Sequence, residues 1–373
     1  MLQLNCGQYA KILKTCYDAK SPLFVYGPPG CGKSEICRQV FSKVAQDEGL
    51  EFREWTDITS DEKMECINHP EKYWILCDQR VGAMDPSDLR GIPNMANKEM
   101  LELIPYSWVI YFSKPEAHGA IFFDELNLAP PTVAGQAYQI INERRVADRK
   151  LSNHVFVFGA GNRAEDKANV FQLSFPLRDR FNEFEIMPDK NSWCEWAYQN
   201  KINPHIIAFI NWKESYLYKP SAVTKEKGST PRGLARASKL INNMDIISDD
   251  VHEIVSIACG ESLATEFQAY CKHFQQLDWR KIYGDPTICS GFSVDKLWAI
   301  IGGISEHYIK QEKQFDEIID VLLGIGHEGK YADFSVVGLR MIRDYDLKLF
   351  SKNYKASKSQ KKIVSSFGKY ILN

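Results

Sequence analysis

Short apolar runs alternate with helix-like stretches through the first half of the chain. The apolar runs cover residues 23–26, about 73–77, 120–123 and 155–158, and polar or glycine-rich residues follow each of them. In the stretch 34–45 the apolar residues recur at the spacing of one helix face, namely Ile36, Val40, Phe41 and Val44. This alternation predicts an α/β domain, a parallel sheet between helices, up to about residue 188.

From Asn191 onward the strand pattern vanishes and helical periodicity takes its place. Helices are predicted at 192–198, 205–212, 232–242, 250–258 and 261–274. The segment 212–230, which contains Lys225-Glu226-Lys227-Gly228-Ser229, is predicted to be a mobile loop. Two more apolar stripes, within 294–308 and 315–324, predict buried helices in a C-terminal part whose role the sequence does not indicate.

A phosphate-binding pattern follows the first apolar run. Residues Gly27-Pro28-Pro29-Gly30-Cys31-Gly32-Lys33-Ser34 fit G-x-x-x-x-G-K-[ST], between a strand and a helix N-terminus that together aim backbone N–H groups at an anion. We predict that Lys33 reaches the β- and γ-phosphates of a nucleotide, that the Ser34 hydroxyl binds Mg²⁺, and that the Glu35 amide lies beside the α-phosphate. The alternative is a glycine-rich turn without a ligand.

Two carboxylates end the apolar run at 120–123. In a parallel sheet the carboxyl end of such a strand opens on the nucleotide crevice. Asp124 would then hold the Mg²⁺ shell, and Glu125 would orient and deprotonate the attacking water. An Asp-Glu pair on its own is more often a solvated strand end, but the phosphate loop earlier in the chain favours the catalytic interpretation.

Three further polar positions could act on the same nucleotide. Asn162 follows the strand at 155–158 and could bond the water and the γ-phosphate, or simply form a turn. The segment 175–181 carries arginines of the kind that a neighbouring subunit supplies to a transferring phosphoryl group, which would require a ring. Arg232 lies in the first turn of a helix opened by Thr230 and Pro231, where a γ-phosphate would compensate its charge; an ordinary exposed arginine is the alternative.

Taken together, these residues resemble the AAA+ ATPases, and within them the MoxR-type branch. The resemblance covers about residues 20–270. Besides the phosphate loop, segments similar to the family occur in the family's order at Asp85–Pro93, Phe123–Pro131, Glu143–Val146, Gly161–Asp166, Leu177–Phe181 and Thr230–Arg232.

The resemblance assigns roles to the polar positions. It implies that Asn162 is sensor 1, that Arg180 is the arginine finger with Arg178 as the competing candidate, and that Arg232 is sensor 2 in a lid. It also implies an added helix at about 85–105 and a hairpin at 144–154. The expected organisation is an AAA+ P-loop core, an all-α lid and a helical extension, at 1–190, 191–274 and 275–373.

The resemblance also implies a function. Proteins of this branch hydrolyse ATP with Mg²⁺ between subunits of a ring, here expected to be a hexamer, and remodel a protein client. They commonly work with a von Willebrand factor A domain protein, which would act in trans because this chain shows no such domain. ATP over GTP rests on the resemblance, helped by the absence of an N-K-x-D guanine motif. The alternatives are a nucleic-acid motor on the same core and a nucleotide-gated scaffold with little turnover.

Composition adds few constraints. Lys and Arg number 46 against 48 Asp and Glu, so a dedicated nucleic-acid binder is not expected, although net charge does not exclude a local basic patch. Ten cysteines without a C-x-x-C spacing, and no apolar run near the ~18 residues of a membrane span, lead us to expect a cytoplasmic protein with reduced thiols and no membrane contact. The last 23 residues carry six lysines and no acid, which predicts either a solvated amphipathic helix or a contact for an acidic partner.

Overall fold

The chain forms two compact units. The computed structural model describes residues 1–96, 102–163, 171, 178–220, 227–326 and 331–371, of which 369–371 are described by their backbone alone. The first unit is Met1–Met187 and the second is Pro188–Asn373. The residues predicted to form the lid and those predicted to form the extension therefore both belong to the second unit.

A seven-stranded parallel sheet organises the first unit. Its strands are β1 (Gln3–Leu4), β2 (Leu23–Tyr26), β3 (Glu51–Glu54), β4 (Tyr73–Arg80), β7 (His118–Asp124), β10 (Val155–Gly161) and β11 (Asn182–Ile186). The other four strands form two antiparallel hairpins. One joins β5 (Ile92–Pro93) to β6 (Leu103–Ile104), and the other joins β8 (Arg145–Val146) to β9 (Arg149–Lys150). The sheet order is β1-β11-β2-β10-β7-β4-β3. The four predicted strands and the hairpin predicted at 144–154 are confirmed.

Sequence periodicity missed three strands of this sheet. β1 is two residues long, and β3 lies at the opposite edge with the polar sequence Glu-Phe-Arg-Glu. β11 reads Asn-Glu-Phe-Glu-Ile and buries only its two apolar side chains, Phe184 and Ile186. Because these strands are short or half polar, they lack the continuous apolar run by which a buried parallel strand is recognised.

Helices cover both faces of the sheet. They are α1 (Cys6–Asp18), α2 (Lys33–Asp47), α3 (Ser60–Asn68), α4 (Pro86–Arg90), α5 (Ser107–Phe112) and α6 (Pro131–Glu143). One face packs Trp74, Phe122 and Phe158 into the cluster that holds the buried residues of α1 and α2. The opposite face contributes Ile75, Ile121 and Val157 to a cluster with α5 and α6. Burial of both faces explains why the central strands are apolar throughout.

The segment predicted as an added helix at about 85–105 has another structure. Helix α4 is only five residues long, and the two strands β5 and β6 follow it as a small hairpin. Gly91 ends the helix with φ at 97°, a conformation that favours glycine, and Pro93 lacks the N–H that a continuing helix needs. Residues 97–101 of the segment lie outside the described part of the chain.

The second unit is helical around one core. Its helices are α7 (Lys190–Gln199), α8 (Pro204–Trp212), α9 (Pro231–Ile241), α10 (Asp250–Cys259), α11 (Glu261–Gln275), α12 (Trp279–Gly284), α13 (Val294–Ile309), α14 (Phe315–Ile325), α15 (Ala332–Tyr345), α16 (Leu347–Ala356) and α17 (Gln360–Ile371). The five predicted lid helices are confirmed. A single apolar cluster runs from Trp193 to Phe367, so the predicted lid and extension share one core. Residues 221–226 of the predicted loop lie outside the described residues.

Two chemical features of the whole chain bear on the expectations above. None of the ten cysteines, all of which lie in the described ranges, forms a disulfide. In the described ranges, none of the helices combines the length and the hydropathy that crossing a bilayer requires.

Candidate nucleotide-binding site

The loop between β2 and α2 depends on glycines at three positions. Gly30 and Gly32 have φ values of 75° and 96°, in the left-handed region that glycine adopts without strain. At Gly27 a Cβ atom would lie 2.7 Å from Ile186 Cγ1 and 3.1 Å from the Ile186 carbonyl oxygen, so only a residue without a side chain fits beside β11. These constraints give the loop the tight curvature that a phosphate cradle needs.

The N-terminus of α2 has no side-chain cap. Its N-cap is Gly32, which has no side chain that could accept a hydrogen bond from the first N–H groups. In contrast, Asn5 caps α1 and Thr59 caps α3 through side-chain oxygens. The first N–H groups of a helix need partners, and an anion at the positive end of the helix supplies them. The bare terminus therefore fits a phosphate ligand.

Lys33 lies folded over this loop. Its Nζ donates to the carbonyl oxygens of Gly27, at 2.6 Å, and of Pro28, at 3.3 Å, and the residue is 8% exposed. Neither partner carries a charge. A buried ammonium held only by neutral carbonyls is well suited to pair with a phosphate.

The phosphate loop and the acidic strand end contact each other directly. Ser34 Oγ donates to Asp124 Oδ2 at 3.3 Å, and Asp124 Oδ1 accepts from the Glu125 backbone N–H at 2.9 Å. A hydroxyl and a carboxylate are oxygen ligands of the kind that Mg²⁺ uses together with phosphates and water. In the described ranges no group of three or more His, Cys, Asp or Glu residues is arranged to hold a metal. Ser34 Oγ and Asp124 Oδ2 would hold a divalent ion, with nucleotide and water completing its shell.

Asp78 is a second carboxylate of this region that the sequence analysis missed. It is paired in register with Phe122 and so lies on the same sheet face as Asp124, which is two residues further along β7. Burial, and then the charge of Asp124, raise the pKa of the Asp78 carboxyl to about 6. Its Oδ1 is buried and has no hydrogen-bond partner. A cation between the phosphates and Asp124 would relieve this concentration of negative charge. The sequence did contain a signal for this residue, because Asp78 is an acid directly after the apolar run at 73–77.

Glu125 has an unusual backbone conformation. It adopts the left-handed region, with φ at 56° and ψ at 30°, and its side chain is exposed. For a residue with a Cβ this costs roughly 1–2 kcal/mol. Gly82, in the turn after β4, lies beside the carboxylate: a Cβ there would be 3.4 Å from Glu125 Oε2, which is an ordinary van der Waals contact. Such conformations persist where the surrounding structure imposes them, and they are common at active sites.

Asn162 is held at the end of β10 by another asparagine. Asn127 Nδ2 donates to the Asn162 carbonyl oxygen at 2.7 Å, and the Asn162 backbone N–H donates to Asn127 Oδ1 at 3.0 Å. Both residues are buried. Gly161 is required beside them, because a Cβ at that position would overlap Asn127 Oδ1. Asn127 lies two residues after Glu125, so this pair of hydrogen bonds joins the predicted sensor to the loop that carries the predicted base.

The two candidate fingers have different surroundings. Arg178 Nε and Nη2 each lie 2.9 Å from Glu183 Oε2, so this guanidinium is paired within its own subunit. Arg180 is exposed, and it forms no hydrogen bond or ion pair with any residue in the described ranges. Arg163, next to Asn162, is paired through Nη1 with Glu185 Oε1 at 2.9 Å. Among these arginines, Arg180 is the one whose side chain is free to reach another molecule.

The predicted sensor 2 lies in the second unit. Thr230 caps α9 by accepting from the Gly233 N–H at 3.0 Å, and Pro231 is the first helical residue, as predicted. Arg232 is exposed in the first turn of this helix. The residues that the structure brings together therefore belong to the first unit: Lys33, Ser34, Asp124, Glu125 and Asn162.

The order of the strands identifies the class of domain. A phosphate loop follows β2, a carboxylate pair lies at the end of β7, and β10, which is followed by Asn162, lies between those two strands. This is the AAA+ P-loop fold, followed here by a helical region. Residues 22–181 match the family model of the AAA domain, dynein-related subfamily, so this part of the chain carries an AAA domain.

Comparisons with other proteins add remote likenesses. NtrX from Brucella abortus, in a complex with ADP, is 13% identical over 86% of this chain and 68% of its own, with a TM-score of 0.36. The RuvB Holliday junction branch migration motor of Thermotoga maritima is 10% identical over 88% of this chain and 85% of its own, with a TM-score of 0.26. TM-scores this low support no functional inference. The comparison with curated proteins gave no match.

Proposed function

We propose that this protein is a ring-forming MoxR-type AAA+ ATPase that couples ATP hydrolysis to the remodelling or maturation of a protein client. The observation that carries hydrolysis is the 3.3 Å contact between Ser34 Oγ and Asp124 Oδ2. It joins the phosphate loop to the acidic strand end, and the next residue along the chain is the predicted base, Glu125. The contact places an oxygen ligand for Mg²⁺ beside the phosphate loop.

Each side chain has a definite task in this proposal. Lys33 balances charge on the β- and γ-phosphates, and the uncapped start of α2 binds phosphate oxygens through backbone N–H groups. Glu125 orients the attacking water and takes its proton, while Asn162 hydrogen-bonds that water and the γ-phosphate. Mg²⁺, with Ser34 and Asp124 as its protein ligands, would supply neutralisation of phosphate charge.

The exposed Arg180 supports the ring. An arginine finger acts on the nucleotide of the adjacent subunit, so its side chain must be unpaired within its own. Arg178 is occupied by Glu183, whereas Arg180 has no partner in the described ranges. We infer that Arg180 is the finger and that the active species is a closed ring, with six subunits as the branch would suggest. Arg232 would contribute to the nucleotide site as sensor 2.

The hairpin of β5 and β6 is the surface that we assign to a partner or client. Ile92 and Ile104 face each other in register and are 52% and 50% exposed, and Met95 between the two strands is 85% exposed. Exposed apolar side chains on a projecting hairpin suit a protein contact. A von Willebrand factor A domain protein acting in trans is the partner that the branch suggests. Co-purification of the native complex would identify it.

The hydrolytic assignment is tested by separating binding from turnover. Glu125→Gln should bind ATP as wild type does and lose turnover by about 10²–10⁴, because removal of a general base leaves the phosphate cradle intact. Lys33→Ala should lose nucleotide affinity. Glu116→Gln, an exposed glutamate of the same unit, is the matched control and should behave as wild type.

Two measurements decide between the outcomes: nucleotide affinity by a fluorescent ATP analogue and steady-state phosphate release. Wild-type turnover in Glu125→Gln would remove Glu125 from the catalytic role. Weak ATP binding in the same variant would instead mean that this carboxylate supports the cradle. If wild type binds ATP tightly but releases no phosphate, the protein is a nucleotide-gated scaffold.

A further inference from the structure

Positive charge is concentrated at the C-terminal end of this otherwise acidic chain. Residues 347–373 contain seven lysines and no acid. The whole chain has 46 basic and 48 acidic residues, which leaves 39 basic and 48 acidic in the other 346. The chain is nearly neutral in total but contains a basic segment, and a net charge cannot reveal such a local concentration.

Helices α16 and α17 present this charge on a rigid surface. Phe350 on α16, and Ile363 and Phe367 on α17, are buried in the core of the second unit. Their burial fixes which side of each helix faces outward. Lys348, Lys352 and Lys355 lie on α16 at i, i+4 and i+7 and are all exposed, so they form one stripe.

Two more lysines, one between α16 and α17 and one on α17, lack a counter-charge in the described ranges as well. Lys358 and Lys361 are also exposed. None of these five lysines forms an ion pair with a residue in the described ranges, whereas the neighbouring Lys362 Nζ is paired with Asp320 Oδ1 at 3.3 Å. Asp316 lies close by, but it accepts from the Ser357 hydroxyl and from the Lys358 backbone N–H. We call the five lysines Lys348, Lys352, Lys355, Lys358 and Lys361 the lysine stripe.

The chemistry around the lysine stripe favours phosphate over other anions. Ser351, Ser365 and Ser366 lie among the lysines, and serine joins lysine in contacts to nucleic-acid phosphates. The i to i+7 span on α16 is about 10.5 Å, which is close to the rise of three nucleotide steps along the axis of a duplex at about 3.4 Å each. A bilayer would need an apolar face to insert, but Ile363 and Phe367 of α17 are buried in the protein, and in the described part of the two helices Leu347 and Val364 are the only large apolar side chains that are exposed.

We propose that the lysine stripe on α16 and α17 is a docking surface for the sugar–phosphate backbone of a nucleic acid. The contact uses no base edges, so it binds DNA and RNA without sequence preference, and its strength falls steeply with salt. The surface lies in the second unit and does not depend on the proposed ATPase activity. It gives the protein a partner class that its overall composition does not indicate.

The test uses the full chain and fluorescein-labelled nucleic acids. Fluorescence anisotropy would measure binding to a mixed-sequence 20-base-pair DNA duplex and to a 20-nucleotide RNA at several salt concentrations. The variant Lys348→Gln/Lys352→Gln/Lys355→Gln should bind both about tenfold more weakly or worse and should lower the salt slope by about 2–3, since each phosphate contact contributes close to one. Lys11→Gln/Lys72→Gln/Lys114→Gln makes the same charge change on exposed lysines of the first unit and should leave affinity unchanged.

Several results would overturn the proposal. They are no binding of either nucleic acid by the wild type, an equal loss in the control variant, and an unchanged salt slope in the stripe variant. Tight binding to phosphatidylserine vesicles or to polyglutamate, with no binding to DNA or RNA, would assign the surface to a membrane or to an acidic protein instead. If the triple variant loses its wild-type thermal midpoint, Lys358→Gln/Lys361→Gln serves in its place, with an expected fall in slope of about 1–2. Preference for DNA or RNA alone would identify which nucleic acid docks.

Discussion

Asn127 shows how much one side chain can do at this site. Its amide donates to the carbonyl oxygen of Asn162 and accepts from the Asn162 N–H, and both residues are buried. A flat, neutral amide is a donor at one end and an acceptor at the other, so one side chain satisfies both groups. Asn127 is therefore a positioning residue: it holds Asn162 relative to the loop that carries Glu125.

We predict that Asn127→Ala lowers turnover more than nucleotide affinity. The variant leaves a buried N–H and a buried carbonyl of Asn162 without partners, which should cost about 1–3 kcal/mol of unfolding free energy. Because Asn162 would no longer be fixed, kcat should fall while KM for ATP changes little. Steady-state kinetics and urea unfolding measure the two effects. Asn182→Ala removes an exposed asparagine that also donates to a carbonyl, and it is the control. Loss of stability with unchanged kcat would reduce Asn127 to a structural role.

At the scale of elements, two glycines differ in their surroundings, so replacing each by alanine should have opposite effects on stability. Gly91 joins α4 to β5 with φ at 97°, and a Cβ there would overlap the Ile104 carbonyl oxygen. Gly135 lies within α6, is exposed, and has no atom within 4 Å of a Cβ built on it. The first glycine is required by its backbone and its neighbour, whereas the second only weakens its helix.

We predict that Gly91→Ala opens the β5–β6 hairpin and that Gly135→Ala stabilises the protein. The alanine at position 91 must move either its backbone or β6, so limited proteolysis should cut within residues 91–105 faster than in wild type. Gly135→Ala should raise the unfolding free energy by about 0.5–1 kcal/mol, because alanine is the better helix former. Proteolysis of Gly91→Ala at the wild-type rate would show that the hairpin adapts to a side chain.

The carboxylate of Glu306, which contacts His205 and Lys310, should make the stability of the second unit depend on pH. Glu306 Oε2 lies 2.9 Å from Nε2 of the fully buried His205, and Glu306 Oε1 accepts from Lys310 Nζ at 2.6 Å. Nδ1 of the same histidine lies 3.0 Å from the Tyr270 hydroxyl. Burial acts to raise the pKa of the Glu306 carboxyl, but hydrogen bonds and charge from His205 and then Lys310 lower it to about 2. The group therefore joins α8, α11 and α13 by contacts that require an ionised carboxylate.

We predict that this carboxylate stabilises the second unit above about pH 4.5 and that the effect is lost as the pH falls towards 2. The pKa in the folded protein lies below its ordinary value, so acid protonates the unfolded chain first and favours it, at a cost of roughly 2–3 kcal/mol. Urea unfolding at pH 5 and pH 3 should show a smaller loss for Glu306→Gln than for wild type. Glu253→Gln, an exposed glutamate on α10, should lose as much as wild type. Equal losses in all three proteins would contradict the assignment.

At the scale of the whole molecule, the proposed ring makes two inactive variants complementary. Arg180→Ala retains its nucleotide site, and Lys33→Ala retains its finger. If Arg180 acts on the neighbouring subunit, a mixed ring contains interfaces that pair an intact site with an intact finger. We predict that each variant alone is nearly inactive and that an equimolar mixture recovers measurable phosphate release.

The mixing experiment has a built-in comparison with the other arginine. Arg178 is paired with Glu183 in its own subunit. A mixture of Arg178→Ala and Lys33→Ala should therefore release phosphate no faster than the two proteins do separately. Co-assembly of the mixture is checked by light scattering. Recovery with Arg178→Ala but not with Arg180→Ala would exchange the two roles. No recovery with either, in rings shown to contain both variants, would place the arginine in cis.

Local patterns in the sequence predicted the elements that carry the nucleotide chemistry. The phosphate loop, the strands β2, β7 and β10, and helix α2 each combine a continuous apolar run or stripe with adjacent polar residues, so neighbours in sequence suffice to recognise them. The strands β1, β3 and β11 and the helix α1 were not predicted, and the added helix expected at 85–105 is a short helix and a hairpin. The three strands depend on pairing partners elsewhere in the chain, and the hairpin depends on Gly91 at positive φ.

The sequence by itself determined which chemical groups the site contains, because the phosphate loop and the acidic strand end are each encoded in consecutive residues. Tertiary structure decided how those groups meet: Asp78 joins Asp124 through the register of β4 with β7, and Asn127 reaches Asn162 across 35 positions of sequence. It also decided that Arg178 is paired while Arg180 has no partner among the described residues, and that the five lysines of the lysine stripe are exposed. Each of these depends on which residues of distant segments become neighbours, and packing of the whole chain sets that, not its local pattern.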